Sequence, residues 1–287
     1  MEALGLGLFM ISAGVFGTLL EYPGSPAHRA LPDPIVRRAL MGVAMGLTAI
    51  ALVYSPWGKR SGAHINPAFT VTMLRLGRVA RGDALAYVVM QFLGGLAGAS
   101  LVAAVLGAAF VAEPVTAVAT LPGPWGVGVA FVAEVAISFV LILMVLTLGA
   151  SPRWSRHTGL FVGGLVCLYI VLEAPVSGMS MNPARSVASA IPAGVGHALW
   201  IYFAAPLAGM LLASEAYARI ARSKRAGCAK VVHSLPCIFC GGTSYFEVAT
   251  QVPSQSAGGG AFNHDSHLRA STVEGGSPAS GASNDSA

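Results

Sequence analysis

Apolar positions fall along this chain in long unbroken runs, not in the two-residue alternation of a half-buried strand or the single stripe of a soluble helix. The runs extend from Ala3 to Leu20, Ile35 to Ser55, Ala84 to Phe110, Trp125 to Gly149, Thr158 to Leu172 and His197 to Ala216. Most of them approach or exceed the ~20 residues that carry an α-helix across a hydrocarbon core. Six membrane-spanning helices are predicted. The fifth run is the shortest, but Arg156 and His157 before it and Glu173 after it are interfacial residues that lengthen a short span. The first run follows only Met1 and Glu2, with no basic stretch ahead of it, and reads as a retained helix, not a cleaved leader.

Composition agrees with that pattern. Of 287 residues, 55% are hydrophobic and 10% are charged, too few charges to coat a water-facing surface. Those charges carry topology, because Lys and Arg near span ends stay on the cytoplasmic side. Lys59, Arg60, Arg75, Arg78 and Arg81 follow the second run, Arg153 and Arg156 the fourth, and Arg219, Arg222, Lys224, Arg225 and Lys230 the sixth. The opposite connections hold Arg29, Arg37 and Arg38 after the first run, none after the third and Arg185 after the fifth. Both termini are therefore expected in the cytoplasm of a multi-pass protein of the cell membrane. The net charge of +5 is accounted for by orientation and gives no reason to expect a nucleic-acid partner.

Two connections share a motif. Ser61 to Thr70 reads SGAHINPAFT and Ser177 to Ser186 reads SGMSMNPARS, the first on the inside and the second on the outside of the expected topology. Each closes a helix–helix–loop–helix unit, and three spans per half force the second half to enter inverted. The chain thus reads as an inverted repeat, about 1–110 and 125–218. In each motif Asn is suited to an N-cap and Pro to the first helical position, so each starts a helix. The stretches after the two Asn-Pro pairs, AFTVTMLRL and ARSVASAI, suffice for two or three turns only. These are half-helices dipping into the membrane. Irregular backbone at that depth is tolerated where it lines a water-filled path or is buried in protein. Two inverted half-helices meet N-terminus to N-terminus, which brings their positive dipole ends and the amides of Asn66 and Asn182 together at the midplane.

With Asn66-Pro67-Ala68 and Asn182-Pro183-Ala184 in this setting, the sequence resembles the aquaporin (major intrinsic protein) family over roughly Glu2 to Ala218. The fold implied is an all-α membrane protein of six transmembrane helices plus two re-entrant half-helices. The activity implied is a passive channel for water and small uncharged solutes that excludes ions and protons, a barrier established for aquaporin-type pores. The assembly implied is a homotetramer with one pore per subunit. By the same resemblance, the carbonyls of Gly62, Ala63, His64, Gly178, Met179 and Ser180 form a ladder along the pore, and Glu2 and Glu134 hold the two re-entrant loops. The outer constriction maps by position to Met45, Ile170, Met179 and Arg185. For the helix-two member, Met45 requires one inserted residue in the following loop, and without it the position is Gly46.

Arg185 would offer five donors and a fixed charge to a passing solute. Met45 and Ile170 depart from the water-specific pattern, which has an aromatic and a His there, and they supply no donor opposite Arg185. Ser186, Ala190 and the Tyr202–Phe203 pair point back toward water-type members. A glycerol or other small-solute facilitator with little preference for water is therefore the alternative. An ion-coupled secondary transporter would need ionisable residues at mid-span, and none falls there. No nucleophile, base and orienter share a plausible cleft, so an enzyme is not expected.

After residue 218 the character changes. A basic juxtamembrane segment, 219–240, carries Cys228, His233, Cys237 and Cys240, a ligand set whose type suits zinc. Reactive thiols without a metal and S-acylation are the competing readings. From 241 to 287 Gly, Ser, Ala and Asn predominate and periodicity is lost, which predicts a disordered tail.

Overall fold

The computed structural model of the protein describes residues 1–220 and 228–232. Among these residues, six helices are long and apolar enough to cross a membrane. They are α1 (Glu2–Glu21), α3 (Pro34–Tyr54), α6 (Arg81–Leu106), α8 (Gly126–Gly149), α9 (Thr158–Leu172), which a helical turn over Ser155–His157 extends to the span Ser155–Leu172, and α12 (Ile201–Ile220). Two shorter helices, α5 (Pro67–Arg75) and α11 (Pro183–Ala193), begin at the two Asn-Pro-Ala motifs, and four brief ones connect the rest: α2 (Pro26–Ala30), α4 (Pro56–Ser61), α7 (Ala108–Val111) and α10 (Ala174–Ser177). The third apolar run proves not to be one helix. Gly107 takes φ +53°, ends α6 and turns the chain into α7, so Ala108 to Val111 form a separate turn. The last helix starts four residues later than its apolar run, after a turn in which Ala198 has φ +57°.

Packing follows the inverted repeat. Helix α1 lies against α6 and α8 against α12, the equivalent pair in each half, and α3 against α9 joins the halves. Small residues set these distances. A Cβ at Gly98 would lie 2.4 Å from Gly7 O, and one at Gly94 2.1 Å from Ala3 O, so α1 and α6 touch backbone to backbone. Gly46 does the same on α3, where a Cβ would lie 2.7 Å from Gly163 O of α9. On the outer faces Leu47, Leu85, Leu93, Val105, Val132 and Leu212 are exposed, a surface suited to lipid and not to water.

The basic residues gather at one end. Tyr54 donates to Arg156 O at 2.7 Å, Arg75 pairs with Glu215 at 2.7 Å, and Lys59 and Arg60 lie on α4 beside them. At the opposite end Arg37 is buried against Glu21 at 3.2 Å and donates to Leu31 O and Pro32 O.

Candidate functional site

The two re-entrant loops have the same backbone. Gly62 and Gly178 take φ +94° and +84°, Ala63 and Met179 +52° and +51°, and Ile65 and Met181 +40° and +54°. Glycine adopts such angles freely, whereas for Ile65 and the other side-chain-bearing residues they are strained. Two buried carboxylates hold them. Glu2 accepts from His64 N at 3.3 Å and Ile65 N at 2.6 Å, and Glu134 accepts from Ser180 N at 2.6 Å and Met181 N at 2.8 Å. Gln91 Nε2 donates to Glu2 at 2.8 Å, and Ser177 Oγ to Glu134 at 2.8 Å. Hydroxyls of Tyr87 and Tyr202 cap the loops' first carbonyls, Ser61 O at 2.9 Å and Ser177 O at 2.5 Å. Meanwhile Ala63 O, Gly178 O, Met179 O and Ser180 O accept no hydrogen bond from the described residues. They are left to hydrate, or to be used by something passing.

At the motifs themselves, each Asn works twice. Asn66 Oδ1 accepts from Ala68 N at 2.9 Å and Phe69 N at 3.4 Å, and Asn182 Oδ1 from Ala184 N at 3.1 Å and Arg185 N at 3.2 Å, which caps α5 and α11. Each amide then reaches the other loop: Asn66 Nδ2 donates to Met181 O at 2.7 Å, and Asn182 Nδ2 to Ile65 O at 2.7 Å. This crossed pair fixes the two half-helix N-termini face to face and leaves one N–H per amide over. Pro67, Ala68, Pro183 and Ala184 are buried behind the two asparagines, as the first residues of the helices.

Both asparagines line a cavity of ≈ 220 Å³. Met45, Ile170, Met179 and Arg185 line the same cavity, with Ala63, His64, Gly178 and Ser180 and a largely apolar remainder that includes Phe9, Ala13 and Met41. Gly46 is not among them, since it is spent on the contact with α9. Arg185 Nη1 reaches Ser189 Oγ at 3.5 Å, and the residue lines the cavity. Gly62 differs from expectation. It does not line the cavity, and its carbonyl accepts from Val231 N at 3.1 Å.

This geometry, crossed Asn caps between two inverted half-helices over one cavity, has a counterpart among known proteins. The profile of the family described as "Major intrinsic protein" matches residues 1–217. The chain belongs to the major intrinsic protein family. This is a family of membrane channels, not enzymes. Within it, the chain is 35% identical over 181 residues to "Aquaporin NIP1-4" of Oryza sativa subsp. japonica, covering 63% of this chain and 64% of that one, so it spans just under two thirds of that relative's length. It is 32% identical over 178 residues to "Glycerol uptake facilitator protein-like 6" of Lactiplantibacillus plantarum, covering 61% and 81%. The aquaglyceroporin structure from Plasmodium falciparum superimposes with a TM-score of 0.58 at 20% identity, over 76% of this chain and 93% of that one, a likeness of fold.

Of the juxtamembrane segment 219–240, the described residues 228–232 are buried: Ala229, Val231 and Val232 share an apolar cluster with Met73, Val79 and Leu146, and Cys228 and Lys230 border a small cavity with Met73 and Leu146. Of the four metal-ligand candidates, Cys228 alone is described, and His233, Cys237 and Cys240 lie outside the described residues, as does the tail from 241 to 287. Among the described residues, no group of three His, Cys, Asp or Glu could hold a metal.

The supporting residues Gln91 and Tyr87 have no motif of their own, whereas Ser177 opens the second of the two repeated stretches. The single signal for Gln91 was its place as a lone polar residue in an apolar run, where burial demands a partner.

Proposed function

We propose that this chain is a passive channel that conducts water and small uncharged solutes and excludes ions and protons. The observation that carries the reading is the cavity itself, where the amides of Asn66 and Asn182 meet beside Arg185. Two helix N-termini and a guanidinium make the centre positive, which opposes cations and hydronium. The leftover amide N–H groups and the unpaired loop carbonyls give a neutral molecule donors and acceptors in sequence.

Met45, Ile170, Met179 and Arg185 form the constriction in this reading. Three of these four are apolar, so the constriction offers one charged donor and no second polar side chain beside it. A solute with a hydrocarbon face loses little there, whereas water loses an ordered partner. That apolar lining supports the second reading, a facilitator for glycerol-like solutes with little preference for water, and the similarity to a glycerol uptake facilitator-like protein is in keeping with it.

The basic end faces the cytoplasm by the positive-inside rule, with both termini on that side of the cell membrane. Four copies assemble, each with its own pore. No metal or cofactor is part of this reading.

Stopped-flow light scattering on proteoliposomes tests it, with water, glycerol and urea gradients and Arg185→Ala as a control. Fast water flux with little solute flux supports the water channel, and solute flux comparable to water supports the facilitator. In Arg185→Ala, proton leak is expected to rise. No flux above empty vesicles, from the chain with or without its Cys228–Val232 segment displaced, overturns both.

A further inference from the structure

Resting on the channel reading, we propose that Cys228–Val232 is a built-in plug that closes the basic mouth of the pore by docking on the first re-entrant loop. Val231 lines the ≈ 220 Å³ cavity and also a second, smaller one bordered by Met73, Arg78, Leu146 and Cys228, so its side chain stands as the wall between them. The docking uses the first re-entrant loop, whose His64 lines the cavity. Val231 N donates to Gly62 O at 3.1 Å, and His64 Nε2 and Ala229 O are 2.9 Å apart, the ring nitrogen donating. Gly62 and His64 belong to the loop whose carbonyls and cavity-facing side chains would otherwise be wetted at this end. A third contact, Arg78 Nη1 to Cys228 O at 3.4 Å, fastens the segment at its start.

Fit and reversibility both follow from the residue types. Ala229, Val231 and Val232 are 0%, 5% and 7% exposed, and of the segment Val231 is the residue that reaches the larger cavity, while the buried Lys230 borders the smaller one. Gly62 admits the segment at close range, since a Cβ there would come within 3.2 Å of Lys230 Cα. Residues 228–232 are not helical, so they lack the ladder of backbone bonds that locks the bundle beneath and open more easily than it does. Only seven residues separate Cys228 from Ile220. A connection of that length confines the segment to the neighbourhood of its docking site, which favours redocking without any second molecule.

Two full-length variants test the plug, Ala229→Glu and Val231→Asp, each placing a charge at a buried position of the docked segment. The background carries Cys167→Ser, Cys237→Ser and Cys240→Ser, so that maleimide labelling reports Cys228 alone. Slow labelling of Cys228 in that background, fast labelling in both variants and a several-fold rise in water or solute flux per channel are expected, since flux scales with the open fraction. Labelling of Cys228 as fast in the background as in the variants means that the segment does not dock, and overturns the plug whatever the flux. Released labelling with unchanged, measurable flux overturns the gate and leaves the channel standing. Released labelling with no flux of any solute overturns the channel reading and the gate together.

Discussion

Ile65 is a β-branched residue held at φ +40°, a conformation costing of order 1–3 kcal/mol, and it persists because Glu2 takes its N–H at 2.6 Å. Glu134 does the same for Met181 in the other loop. Each carboxylate is thus a bidentate acceptor for two consecutive amides, a task that an amide side chain cannot perform, because one of its two heads is a donor. In Glu134→Gln, one of Ser180 N and Met181 N loses its acceptor and faces an NH₂ group, at about 1–3 kcal/mol. A lower unfolding temperature in detergent and reduced water flux are expected, and an unchanged unfolding temperature would show that the loop keeps its shape without the carboxylate. Glu173, one residue beyond α9, is a different case. It is buried, and neither carboxylate oxygen has a hydrogen-bond partner among the described residues. Burial pushes its carboxyl up to about 8, reinforced by the charge of Glu134. An acid whose pKa is raised on folding favours the fold in its protonated form. Its stabilising contribution is complete below the unfolded pKa of ~4.3 and is lost as pH rises through about 8. Glu173→Gln is therefore expected to flatten the decline of unfolding temperature across that window, measured by a pH series in detergent, and a wild-type decline that the substitution leaves intact would assign it to other groups.

Among the elements, the contact of α1 with α6 is the most demanding of sequence, because it is made by backbone. Gly98→Leu would drive a side chain into Gly7, whose carbonyl lies 2.4 Å from the first added carbon, and backbone cannot swing aside as a side chain can. Loss of the monodisperse peak on size exclusion is expected, whereas Gly128→Leu on the open side of α8, where a Cβ meets nothing within 4 Å, is expected to behave as wild type. Elements such as these were readable in advance. Apolar runs gave α1, α3, α8 and α9 to within a residue or two, since lipid imposes both length and composition, and Asn-Pro placed the starts of α5 and α11 because capping is a local matter. Where the reading fell short, the cause was not local. Gly107 breaks the third run by a backbone angle that hydropathy does not register. Tyr87 and Gln91 owe their roles to partners 26 and 89 positions away along the chain, Ser61 and Glu2. Residues 228–232 resemble any small apolar stretch until Gly62 and His64 are seen to receive them.

At the scale of the whole molecule, the halves differ less in their scaffold than in what they place in the lumen. Crossed Asn amides, paired carboxylates and left-handed loops are duplicated, and they account for a positive, hydrogen-bonding centre that any neutral solute would meet. Discrimination among neutral solutes has to arise where the symmetry is broken, and Arg185 is the charged side chain on the cavity, with Met45, Ile170 and Met179 as its apolar company. Ile170→His would put a second hydrogen-bonding group on that lining and shorten the hydrocarbon face against which a polyol can slide. Met45→Phe would replace a flexible thioether with a rigid ring and narrow the same section. Together they are expected to lower glycerol flux relative to water flux roughly tenfold, the scale of discrimination accessible from ~1–3 kcal/mol of changed pocket contacts. Paired water and glycerol permeabilities from the same proteoliposome preparation check this, because their ratio cancels differences in reconstitution. A ratio that stays put while both fluxes fall would mean that the substitutions narrowed the pore without touching its choice of solute, and would move the selective section away from Met45 and Ile170 toward Phe9, Ala13 and Met41 on the same cavity.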